Sequence, residues 1–162
     1  MPTEPHVFNF RSDLFHVDPK EDDETNPFCY GRSLAQWVHG KFTGLGSSPE
    51  PLIPEDWGWC VMLRREPFLL WIGCGNVTSE MLDAATPAEK DAFVPIGSDL
   101  TWCSFVGTDA PVWTSFFWKR LFRLASEDQD VRVVTQQLEQ LLRSEPRIRM
   151  EDDSMRNSWI EQ

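Results

Sequence analysis

The segment 57–75 reads WGWCVMLR (57–64), REP (65–67) and FLLWIGCG (68–75), two short apolar runs rich in aromatic and branched residues with three residues between them. Runs of that length are strands, and a three-residue connection leaves only an antiparallel hairpin. On the first strand the alternation places Trp57, Trp59, Val61 and Leu63 on one face. On the second, Phe68, Leu70, Ile72 and Cys74 oppose Leu69, Trp71, Gly73 and Gly75, so both faces are apolar and the strand belongs inside a sheet.

Working outward, Leu100 to Gly107 alternates Leu100, Trp102, Ser104 and Val106 against Thr101, Cys103 and Phe105, which extends the hairpin into a meander. His6 to Phe10 reads as a further strand with Val7 and Asn9 opposite Phe8 and Phe10, and Arg147 to Met150 as a last edge strand. From Arg32 to about Phe42 the period becomes helical, through Leu34, Trp37, Val38 and Phe42. Ser33 with Gln36 supplies a capping box at its start, and Gly44, Gly46 and Ser47 end it. Pro49, Pro51 and Pro54 make the next stretch an extended connector.

Residues 78–93 predict a helical turn or two, with Pro87 in a first turn. Asp109 and Pro111 open a C-terminal helix carrying Trp113, Phe116, Phe117, Leu121 and Leu124, and the polar run Ser126 to Asp130 is expected to break it. A second helix is then expected from about Val131 to Arg143, with Val131, Val134, Leu138, Leu141 and Leu142 on one face. Strands followed by a helical third predict an α+β fold: one antiparallel sheet of four to five strands with helices packed mainly on one face. At 162 residues the chain has the size of a single domain, read over 1–162 with a frayed tail from about 151.

Eight Trp and eleven Phe make the apolar part bulky, and a net charge of -11 is spread along the chain, with 6 basic against 12 acidic residues up to Met81 and 9 against 14 beyond it. That field repels phosphate backbones and anionic lipid, so neither nucleic acid nor membrane is an expected partner, whereas a protein with a basic face is. The first residues lack the pattern of a signal peptide, and no run approaches the length of a membrane span, which reads as cytoplasmic. Cys29, Cys60, Cys74 and Cys103 show no metal-ligand spacing and are expected to be reduced, buried and non-catalytic. His6, His16 and His39 are not spaced for a shared metal, and Gly44 to Ser48 follows a helix, where a phosphate loop would open one. No cofactor and no metal are expected.

The charged run Asp18 to Thr25, DPKEDDET, is read as a solvated connection. The string PEDWGW, 54–59, joins two carboxylates to two Trp at a strand entry. Neighbouring strand residues point apart, so Glu55 and Asp56 are poor partners for acid–base work, and one of them is expected to hold a loop by accepting backbone amides. Trp57, Trp59, Trp71, Trp102 and Trp113 fall where a sheet and its helices would bury them, while Trp118 and Trp159 are less committed. The candidate binding residues are Glu55, Asp56, Trp57, Trp59 and Trp118.

EDWGW after a helix bearing Trp37 resembles a family of small bacterial proteins of unknown function, over about Gly31 to Gly75 and on Trp37, Glu55, Asp56, Trp57, Gly58 and Trp59. The resemblance implies a bacterial origin and an α+β architecture, and carries over no catalytic residue. The leading expectation is a non-catalytic protein-binding domain, with toxin-neutralising immunity proteins as the recurrent class of small acidic bacterial proteins. The alternative is a small-molecule-binding or hydrolytic domain using a Trp-lined surface near Glu55 and Asp56.

Overall fold

A computed structural model of the chain describes residues 6–77, 95–109 and 117–151, with 117–127 described in backbone alone. The described residues form six strands and two α-helices: β1 (Val7–Ser12), α1 (Arg32–Gly44), β2 (Ile53–Glu55), β3 (Gly58–Arg64), β4 (Leu69–Asn76), β5 (Trp102–Asp109), α2 (Phe117–Ser144) and β6 (Ile148–Met150). The strands make one sheet in the order β2-β3-β4-β5-β1-β6, every pair antiparallel. The α+β class is as the sequence predicts, with six strands where four to five were expected. The extra one is β2, in which Pro54 sits opposite Trp59 on the sheet edge, where its missing N–H costs no ladder bond.

The hairpin is present: Trp59 pairs with Cys74, Cys60 with Gly73 and Val61 with Ile72, before an irregularity between Met62 and Arg64. β4 continues into β5 through Ile72 opposite Val106 and Cys74 opposite Ser104. Beyond the meander, β1 lies between β5 and β6, pairing Phe8 with Ser104 and Arg11 with Arg149. Because β5 and β6 both run against β1, the connection through α2 is a crossover over the sheet.

Both helices cover one face. α1 lies over β3 and β4, and α2 over β5 and β6. Leu34, Val38 and Phe42 of α1 and Val134, Leu138 and Leu142 of α2 share a single core with Phe8, Phe10, Trp59, Val61, Leu70, Ile72, Trp102 and Val106. Fully burying one such side chain stabilises by roughly 1.5–3 kcal/mol, so this shared face dominates the fold's energetics. Two polar groups within it are partnered: the Ser104 hydroxyl donates to the Gly73 carbonyl at 2.9 Å and Trp102 Nε1 to the Gly97 carbonyl at 3.0 Å.

Three expectations are corrected. Ser126 to Asp130 does not break the last helix, because α2 runs without interruption from Phe117 to Ser144. The stretch contains neither Gly nor Pro, and polarity alone ends no helix. Ser33 is not the cap of α1. Gly31 occupies that position, and the Ser33 hydroxyl instead bridges the main chain of His16, donating to its carbonyl at 2.8 Å and accepting from its N–H at 3.1 Å. The run Asp18 to Thr25 is not simply solvated, for Glu21 within it has no exposed surface. At the other end α1 stops as expected: Gly46, at φ 93°, donates to the Thr43 carbonyl and Ser47 to that of Phe42, a Schellman closure. The predicted turns over 78–93, the Asp109–Pro111 helix start, Trp113 and the tail beyond Glu151 lie largely or wholly outside the described residues.

Candidate functional site

The chain between β1 and α1 makes a short 3-10 turn at Glu21–Asp23 and then passes through Asn26 to Gly31 beside the end of β4. Two glycines from different segments converge on one carbonyl there. A side chain on Gly31 would place its Cβ 2.4 Å from the Cys74 oxygen, and one on Gly58 would lie 2.5 Å from the same atom. Both glycines have positive φ, 156° and 149°, so sterics and conformation exclude other residues together. Phe28, at φ 64° and buried, holds a left-handed backbone usually reserved for glycine or asparagine.

Glu21 is the centre of this junction. Its Oε1 accepts from Gly31 N at 2.6 Å, Arg32 N at 2.5 Å and Trp59 Nε1 at 2.6 Å. The first two are orphan amides of the α1 N-terminus, where the helix dipole favours a negative charge. The third fixes the Trp59 indole. The Arg32 guanidinium lies 4.6 Å over the Trp59 ring and pairs with Asp18 and Glu24 on either side of Glu21. Asn76 secures the neighbouring amide, its Oδ1 accepting from Tyr30 N at 2.8 Å. Glu21 Oε2 and Asn76 Nδ2 are buried without a hydrogen-bond partner among the described residues.

The opposite face of the sheet carries a second aromatic group. Trp57 stacks on Trp71 at 5.7 Å between ring centroids and lies 5.4 Å from Phe105, while Trp71 and Phe105 meet edge to face at 5.7 Å. These rings rest on glycines: a Cβ on Gly73 would lie 2.5 Å from the Phe105 ring, and one on Gly107 2.3 Å from that of Trp71. Trp57 is 37% exposed.

The structure therefore divides the residues singled out in the sequence. Glu55 closes β2 opposite Gly58, Asp56 and Trp57 form the turn into β3, and all three are exposed. Trp59 is buried in the core on the other face, so it does not share a surface with Trp57. The expected alternation fails at Gly58, whose positive φ reverses the chain's side preference between the two indoles. Trp71, expected to be buried, is only partly so because it stands on this outer face. Trp118 lies on α2, and its side chain is outside the described residues. Asp56 does hold a loop, but by its main-chain carbonyl, which accepts from Asn26 N at 3.1 Å. The carboxylate that binds backbone amides is Glu21, which sequence reasoning missed. One of five carboxylates in DPKEDDET, it has no local signature. Gly73 and Gly107, each flanked by aromatics in its own or the neighbouring strand, were the available signal for Trp71 and Phe105.

The thiols are poorly set for nucleophilic work. Burial pushes Cys29 up, with Asp56 adding to the effect. Burial drives Cys74 far above the usual thiol range and lifts Cys103 to about 11. Among the described residues no group of three or more His, Cys, Asp or Glu side chains is arranged to hold a metal ion, and no helix is long and apolar enough to cross a membrane. The chain matches no protein-family model, no curated protein and no solved structure.

Proposed function

We propose that this chain is a non-catalytic protein-binding domain that docks a protein with a basic face through the β2–β3 turn and the adjoining aromatic surface. The observation that carries the reading is Trp57, an exposed indole packed against Trp71 and Phe105 and flanked by exposed Glu55 and Asp56. Ordered aromatics at a surface contribute binding energy at low entropic cost, and a charged rim selects the partner's sign. Neutralising a toxin in a bacterial cytoplasm is the specific form of this activity that small size and a charge of -11 support. The raised thiol of Cys29 and the positions of Cys74 and Cys103 favour this reading over hydrolysis by cysteine.

The test is affinity capture from the source cell, followed by titration of the purified partner against wild type and Trp57→Ala. Loss of about 30-fold or more in affinity, corresponding to roughly 2 kcal/mol, with an unchanged Tm supports the reading. Equal affinities of the two proteins would remove Trp57 from the interface and the proposal with it.

A further inference from the structure

A carboxylate that only capped α1 could sit at the capping position itself, as Ser, Asp or Asn usually does. Glu21 comes instead from ten residues upstream of Gly31, and its Oε1 also binds a side chain from β3, 38 residues away. Placing a carboxylate in full burial is costly unless its hydrogen bonds are good, and here three donors meet one oxygen. What this arrangement adds to a local cap is a cross-link between the 18–25 segment, α1 and β3.

That cross-link meets the β2–β3 turn from both sides. On one side, the Trp59 indole is fixed in the core by Glu21, and Gly58 at φ 149°, pressed against the Cys74 carbonyl, directs the preceding residue to the other face. That residue is Trp57. On the other side, the segment returns to the same turn through the bond from Asn26 N to the Asp56 carbonyl. Asp18 and Glu24 hold Arg32 at partly exposed positions, whereas Glu21 supplies the buried attachment.

We propose that Glu21 is the positioning residue of the docking turn: by joining the 18–25 segment to the Trp59 indole and the α1 N-terminus, it holds Trp57 in its stack on Trp71 and Phe105. The inference rests on the docking role given to Trp57, but it is tested without any partner.

The experiment is ¹⁹F NMR of the full chain labelled with 5-fluorotryptophan, the Trp57 and Trp59 resonances being assigned by Trp57→Phe and Trp59→Phe. In Glu21→Ala the Trp57 resonance moves towards the free amino acid value, while that of buried Trp102 stays in place. Glu21→Gln keeps Trp57 at the wild-type position, because all three donors use a single oxygen that an amide carbonyl reproduces. Trp59→Phe, which removes only the indole donor while retaining a ring, shifts Trp57 as well and gives the answer if Glu21→Ala does not fold. A wild-type Trp57 resonance in folded Glu21→Ala or in Trp59→Phe overturns the proposal, as does a Glu21→Gln protein that behaves like Glu21→Ala. Failure of Trp57→Ala to weaken partner binding would instead strike the docking reading and leave these shifts unaffected.

Discussion

Cys74 and Cys103 stand on adjacent strands but on opposite faces of the sheet, and in both the thiol is held above its ordinary value chiefly by burial. The Ser104 hydroxyl, 3.9 Å from Cys74 Sγ, offsets only part of that effect. A thiol that ionises near 9 when unfolded and at about 11 when folded binds more protons in the native state between those values. Its contribution is fully present below pH 9 and is lost as pH rises through 11, with Cys74 extending the loss further. Each thiol should remove stability with a slope on the order of 1 kcal/mol per pH unit in that window. Urea denaturation of wild type and Cys103→Ala at pH 8 and pH 10.5 checks this, the variant losing less over the same interval. A parallel loss in both proteins would assign the alkaline sensitivity to other groups.

At the level of elements, glycine has opposite meanings in the sheet and in the helix. Gly73 and Gly107 form the floor on which Phe105 and Trp71 lie, so Gly73→Ala and Gly107→Ala should each cost about 1–3 kcal/mol through displaced rings. Gly40 in α1 has nothing within 4 Å of its would-be Cβ, and Gly40→Ala should stabilise by about 0.5–1 kcal/mol. Thermal unfolding of the three variants reads both signs. Continuity of α2 is open to a similar test: Asp128→Pro should cost about 3 kcal/mol and reduce helical circular dichroism, whereas a break at Ser126 to Asp130 would tolerate it. The sequence made the meander legible because β3 and β4 are short apolar, aromatic-rich runs three residues apart, as two strands buried on both faces require, and β5 alternates with period 2. It misled at Gly58, where one positive φ put Trp57 and Trp59, expected on one face, on opposite faces of the sheet. It was silent on Glu21, because burial of one carboxylate among five depends on donors brought from α1 and β3 by the tertiary fold.

Over the whole molecule, the negative charge is not evenly available. Arg11, Arg32, Arg64, Arg65, Arg143 and Arg147 are each engaged by a carboxylate, and the Glu50 carboxyl is held below its usual range by its hydrogen bonds to Arg65. Exposed pairs of this kind add little stability, but they neutralise charge locally. Asp18 and Glu24 are likewise taken up by Arg32, while Glu55 and Asp56 form no ion pair among the described residues. Among the described residues the β2–β3 turn therefore presents carboxylates free of ion pairs beside Trp57, and the 18–24 segment presents less free charge than its composition suggests. Opposite charge acts mainly on encounter, so Glu55→Lys with Asp56→Lys should slow association by about tenfold while dissociation changes little. Trp57→Ala should do the reverse, raising the dissociation rate because a desolvated anchor is lost. Stopped-flow association with the captured partner from about 0.05 to 0.5 M salt separates the two, since screening shortens from beyond 10 Å to a few ångströms over that range. An association rate that ignores salt, or a double variant that associates as fast as wild type, would mean that the turn does not steer the encounter.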